Sequence, residues 1–184
     1  MKAIRNDILE IANQASLKIL TENKTFEIRH IFNLKDKSVV GILLFLLGGI
    51  FLIVIPFIKT SDTISKILGV TIGLFVAVFS ILLIIRQISD KLKVSKTLIE
   101  VQRNLKRKAI PINQNMEIKM KTEILKIRRS SSRSEFIIVS HYLKDYDKET
   151  HILQFQMDNR NSGEAIKLGN EITRMINEKF REIN

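Results

Sequence analysis

The sequence predicts a membrane α-helical hairpin joined to an α+β domain. Three observations predict it. Two apolar runs, 39–58 and 67–85, hold no charged residue. Downstream of them the apolar residues recur with period two, the pattern of half-buried strands. The last segment returns to a helical period over 163–182.

In chain order, residues 1–22 place Ile4, Ile8, Ile11, Ala15 and Ile19 on one face, which predicts an amphipathic helix. Residues 25–32 partly alternate and predict a short strand, and 33–38 read as a polar connector. Residues 1–38 are therefore expected to form an N-terminal cytoplasmic helix and connector. Whether the strand joins the downstream domain is left open by the pattern.

The first apolar run, 39–58, spans about 30 Å at a rise of about 1.5 Å per residue, which matches the hydrocarbon thickness of a bilayer. Backbone groups in lipid must be satisfied within the segment, so both runs are expected as helices. Thr71 and Ser80, the polar residues of the second run, can bond carbonyls of their own helix. The joining segment 59–66 is too short for a domain, so the helices run antiparallel. Gly69, Gly73 and Ala77 form a small-residue stripe, and folding the hairpin brings Ala77 towards Gly48 and Gly49. These five are candidate helix-packing residues, with a homodimer seam as the alternative. Ion pathways and proton relays need ionisable groups inside the membrane. Neither run has one, so an anchor is expected rather than a transporter.

The net charge is +11 and is unevenly placed. Residues 1–38 carry seven Lys and Arg against five Asp and Glu; residues 86–184 carry 21 against 13. Arg29, Lys35 and Lys37 precede the first run, and Arg86, Lys91, Lys93 and Lys96 follow the second. Cytoplasmic flanks are rich in Lys and Arg. The expected placement is therefore a multi-pass protein of the inner (cytoplasmic) membrane, with both termini in the cytoplasm. The chain has no cysteine, which excludes disulfides and thiol chemistry.

Short strands are expected near 97–102, 108–112, 116–120, 124–127, 135–143 and 151–157. A serine loop is expected at 130–134 and a turn at 145–149. In 163–182, Ala165, Leu168, Ile172, Met175, Ile176 and Phe180 make one apolar stripe. A helix with one apolar side and a sheet with one uncovered face bury each other.

The stretch Lys96-Thr97-Leu98-Ile99-Glu100-Val101-Gln102-Arg103-Asn104-Leu105-Lys106-Arg107-Lys108-Ala109-Ile110-Pro111-Ile112 is similar to the opening strand pair of bacterial membrane proteins that carry a pleckstrin-homology (PH)-like domain after two membrane helices. The element order over 90–182 resembles that domain as well. The resemblance implies an antiparallel β-barrel or sandwich in 86–184, capped by the C-terminal helix. It also implies a binding scaffold rather than an enzyme. This chain has no tryptophan, which eukaryotic members often carry in that helix.

Candidate binding residues are Lys106, Arg107 and Lys108, and Arg128, Arg129 and Arg133 around the serine loop. Arg forks suit phosphate oxygens, and anionic phospholipid headgroups are the natural ligand of a domain held against a bilayer. The plainer reading of both groups is a solvated basic face. Nucleic acid is disfavoured, because 103–108 holds no aromatic residue to stack a base. His30, His141 and His151 lack metal-ligand spacing and read as surface or edge residues. No phosphate loop, dinucleotide turn or nucleophile elbow occurs, so no metal, cofactor or catalytic residue is expected.

The expected function is a non-enzymatic, membrane-anchored binding or scaffold protein that serves a protein partner or an anionic lipid surface. The alternative is an oligomeric membrane-pore or membrane-perturbing subunit, or an immunity or defence protein, with the soluble domain as sensor.

Overall fold

The first helix, α1 (Asn6–Gln14), stops well short of residue 22. Ser16 takes a left-handed backbone, φ 56°, and turns the chain out of the helix. Beyond it Leu17 and Ile19 face inward and Lys18 outward, so the rest of the expected helix is strand β1 (Leu17–Glu22). The expected strand at 25–32 forms as β2 (Thr25–His30) and pairs antiparallel with β1. This computed structural model describes residues 5–22, 25–34, 37–59, 62–113, 115–129 and 132–181, with backbone alone at 37, 38, 128, 129, 132 and 133.

After β2 come the two apolar helices, α2 (Lys37–Ile58) and α3 (Thr63–Ser89). The second starts earlier than expected because Asp62 Oδ1 accepts from the Ser65 N–H at 2.9 Å and caps it. Thr71 and Ser80 bond the carbonyls of Ile67 and Val76, both at 2.8 Å, as expected for hydroxyls in apolar helices. Both helices are long and apolar enough to cross a membrane, with mean hydropathy 2.9 and 2.8, and only 11 % of each apolar window is buried within the chain. Buried core helices of a soluble protein would be covered; these are not.

The chain then returns to the sheet it left. Strand β3 (Lys91–Val94) pairs with β2, placing Arg29 opposite Lys91. The His30 N–H donates to the Asp90 carbonyl at 3.1 Å and closes that end. Strands β4 (Leu98–Arg103) and β5 (Lys106–Pro111) complete a five-stranded antiparallel meander ordered β1-β2-β3-β4-β5.

A second meander holds β6 (Met116–Arg129), β7 (Ser132–Asp145) and β8 (Lys148–Asp158). The separate strands expected at 116–120 and 124–127 are one strand, because Thr122 and Glu123 stay paired opposite Val139 and Ile138. A short 3-10 turn, where Asp158 Oδ1 accepts from the Arg160 N–H, leads into α4 (Ser162–Arg181). That helix packs on β6, β7 and β8, and α1 packs on β1 and α4.

Two compact units result: residues 1–31 with 90–184, and residues 32–89. The expected division into an arm (1–38) and a separate domain (86–184) therefore changes. Both sides of the hairpin build one α+β unit with one core. Ile8, Leu17, Phe26 and Ile28 from before the hairpin join Leu92, Ile99, Val139, Leu168 and Ile176 from after it, each 2 % exposed or less. Phe26 and Ile28 sit opposite Val94 and Leu92. Without β1 and β2 those residues would lose their neighbours and face water.

Candidate functional site

Within the hairpin, the small residues sit where the helices approach most closely. A Cβ on Gly49 would lie 2.9 Å from the Ala77 nitrogen and the Gly73 oxygen. A Cβ on Gly73 would lie 2.6 Å from the Gly49 oxygen. One on Gly69 would lie 2.5 Å from Pro56 Cγ. Gly49, Gly69, Gly73 and Ala77 therefore pack the hairpin against itself. Gly48 has nothing within 4 Å of a Cβ, so it is not part of this contact.

Lys106, Arg107 and Lys108 open β5, an edge strand, and all three are exposed. Strand alternation divides them. Arg107 Nε donates to Gln102 Oε1 at 3.0 Å on its own sheet, whereas Lys108 Nζ donates to Thr150 Oγ1 of β8 at 3.3 Å. They are thus not one cluster. Arg128, Arg129 and Arg133 belong to the other sheet, at the β6–β7 turn, with Arg128 paired opposite Arg133. Their side chains lie outside the described residues.

The two sheets meet through polar groups at the end where the chain leaves for the hairpin. His30 Nε2 lies 2.9 Å from the Gln154 carbonyl of β8. Arg103 pairs with His151 Nδ1 and reaches Gln154 Oε1 at 3.5 Å. The Asn104 N–H donates to Asp90 Oδ1 at 2.9 Å, tying the β4–β5 turn to the residue that follows α3.

The histidines correct the sequence reading. His141 is fully buried rather than on a surface or edge. Its Nε2–H donates to the Gly169 carbonyl of α4 at 3.0 Å, which leaves Nδ1 without a partner. Burial holds its pKa below the usual histidine value despite that bond. His151 is half-buried against the Tyr142 ring, with centroids 4.9 Å apart. Burial first, then the Arg103 cation, pushes its pKa down to about 4. The two rings are not opposite one another: Leu153 stands opposite His141, and Tyr142 opposite His151. Among the described residues, no three His, Asp or Glu side chains converge on a point that could hold a metal ion.

A groove of about 480 Å³ between α1 and α4 is lined by Arg5, Ile8, Lys167, Asn170, Glu171 and Arg174. Its charges are largely spoken for: Lys167 pairs with Asp7 at 2.8 Å, and Arg174 bridges Glu171 and Glu178.

Sequence reasoning missed the basic row that the five-stranded sheet assembles. Lys18, Arg29, Lys91, Gln102 and Arg107 stand opposite one another in strand order. They come from five separate strands, so no run or spacing betrays them. Arg29 and Lys91 are visible in the sequence only as flanking charges. No protein-family model, curated protein or solved structure matches this chain.

Proposed function

We propose that this chain is a membrane-anchored binding protein of bacterial type, without catalytic activity. The hairpin holds the α+β unit at the inner face of the cytoplasmic membrane, and both termini are cytoplasmic. The unit serves a protein partner or the anionic lipid surface. The observation that carries this reading is the place of the hairpin. It interrupts a sheet between two hydrogen-bonded neighbours, β2 and β3, so the unit is tied to α2 and α3 by two chain crossings.

The proposed fold of the unit is PH-like. Strands β2 to β5 and β6 to β8, closed by α4, follow the order of such a domain, with β1 and α1 as additions. In that frame the hairpin sits inside the domain, after its first strand, rather than before it. PH-like domains are binding scaffolds, which accords with the absence of a converging cluster of His, Asp and Glu among the described residues of this one.

Topology mapping on intact cells tests the placement. With no native cysteine, Asp62→Cys and Lys148→Cys each give a single thiol. An impermeant maleimide should label the Asp62→Cys chain from outside and the Lys148→Cys chain only after lysis. The reverse pattern, or release of the chain from membranes by alkaline carbonate, would overturn the reading.

A further inference from the structure

We infer that the outer face of the five-stranded sheet, at its hairpin end, is a seat for anionic phospholipid headgroups. It is formed by Lys18, Arg29, Lys91 and Arg107, with Leu105 as an apolar wedge. The inference rests on the reading of α2 and α3 as membrane spans and assigns the lipid contact to particular residues.

Register carries the first step. Residues directly opposite on antiparallel strands point to the same face. Lys18 faces Arg29, Arg29 faces Lys91, Lys91 faces Gln102 and Gln102 faces Arg107. The inward rows beside them hold Ile19, Ile28, Leu92 and Val101, so this row is on the outside. Strands lie about 4.8 Å apart, so the row runs about 19 Å across the sheet. Like charges directly opposite destabilise a sheet. Here two such pairs stand in succession. Glu27, one row back, partly relieves them, reaching Arg29 at 3.0 Å and Lys91 at 3.1 Å. Two cations, Arg29 and Lys91, share that one carboxylate, and Lys18 and Arg107 stand in the same row, so the row keeps a demand for anions.

The charge is also graded along the face. The row at the hairpin end holds four cations and no acid. The next outward row holds Glu27, Lys93 and Glu100, and Glu22 lies beyond it. Positive charge is therefore concentrated where the chain leaves for α2 and returns from α3.

Chain length ties this end to the lipid. Lys91 is two residues past Ser89, the end of α3, and six past Ile85, the last residue of the unbroken apolar run. Five residues of helix rise about 8 Å, and the polar zone of a bilayer is about 5–8 Å deep on each side. Lys91 cannot leave that zone by more than a few residues of chain, whatever the angle between helix and sheet. A Debye length at physiological salt is about 8 Å, so Lys91 and the Arg29 opposite it remain within reach of surface charge. An acidic protein would have to compete for this face with the lipid beside it.

Leu105 is the second, independent observation. The β4–β5 turn has both central residues in the left-handed region, Asn104 at φ 50° and Leu105 at φ 66°. Asn tolerates this well, but Leu costs about 1–2 kcal/mol there. Leu105 is 57 % exposed, so packing does not repay the strain. The turn is held to Asp90, the residue following α3, by the Asn104 N–H. An exposed leucine strained into a turn at the membrane joint has a partner in the acyl boundary.

The test uses the full chain in nanodiscs, of phosphatidylcholine alone or mixed with phosphatidylglycerol. A Lys106→Cys thiol beside the turn carries a fluorophore, and lipids with nitroxide-labelled headgroups quench it. A Lys148→Cys thiol, at the β7–β8 turn, is the control. The inference predicts several-fold stronger quenching at position 106 in anionic discs, weakening as salt rises. Changing Lys18, Arg29, Lys91 and Arg107 together to Gln should abolish the difference, and Leu105→Gly should reduce quenching while leaving the melting temperature equal or higher. Equal quenching in both discs, or no loss in the four-Gln chain, overturns it. If polyglutamate shields position 106 from solution quenchers in neutral discs while anionic lipid has no effect, the face belongs to an acidic protein and the lipid seat is wrong. If the chain does not stay in the discs at all, the membrane reading itself fails, a separate outcome.

Discussion

Helices α2 and α4 are nearly equal in length, 22 and 20 residues, yet they solve opposite problems. α4 buries Ala165, Leu168, Ile172, Met175, Ile176 and Phe180 along one stripe and gives its other side to charge. α2 exposes Phe45, Phe57 and Ile58 at 71 %, 66 % and 76 %, and α3 exposes Phe75 at 72 %. Each exposed apolar Å² costs about 25 cal/mol in water, so a chain that turns whole helices outward is built for another solvent. The lesson is that apolar content alone does not separate the two regions. One-sidedness does.

The largest effect is expected from dividing the chain at the hairpin. Residues 90–184 alone lack β1, β2 and α1, which cover Leu92, Val94 and part of α4. That fragment should show no cooperative melting and should aggregate. A cooperative melt would mean the unit does not need the residues before the hairpin.

Glycine substitutions sharpen the contrast next. Gly73→Leu in the hairpin forces a side chain onto the Gly49 oxygen and the Ile53 nitrogen, backbone atoms that cannot yield. A loss of about 1–3 kcal/mol is expected from overpacking, read as a lower melting temperature in detergent. Gly48→Leu, with nothing near its Cβ, should change little. In the α+β unit, Gly169→Ala meets Met120 Sδ and Val139 Cγ1, at 2.5 and 2.8 Å, and should destabilise. Gly163→Ala, open at the start of α4, should stabilise by up to about 1 kcal/mol through helix propensity.

A smaller effect is expected from acid. His141 and His151 both have folded pKa values below the usual 6.5, the latter at about 4. Depressed pKa values mean that the unfolded chain binds protons first as pH falls. The contribution of His151 is complete above pH 6.5 and is lost as pH falls from there towards 4, and His141 acts in the same direction. Urea midpoints should drop across that window, and His151→Gln should flatten part of the drop. Flat midpoints in the native chain would contradict the burial of these rings. The hairpin, with no ionisable group in either apolar run, should show no such dependence.

Most of the helical content was legible because period and length are local. Val39–Ile58 and α4 lie within two residues of their expected ends. Strands were less legible. Lys91–Val94 hides in a basic exit segment, and Leu17–Glu22 continues the helical period of α1 until Ser16 breaks it. The basic run 106–108 was visible, but strand alternation splits it. The row that replaces it needs the register of five strands, information no single window holds. His141 was missed because its burial depends on α4 crossing β7 at a glycine.

The most direct test of the account removes the hairpin and closes the gap. The His30 N–H bonds the Asp90 carbonyl, so a short Gly-Ser turn can join Ile31 to Asp90 and leave every strand pair intact. The expected product is a soluble, β-rich protein that melts in one cooperative transition without detergent. An insoluble or non-cooperative product would show that the α+β unit is not complete without α2 and α3, and would contradict the assignment of the hairpin as an anchor inserted into an independent fold.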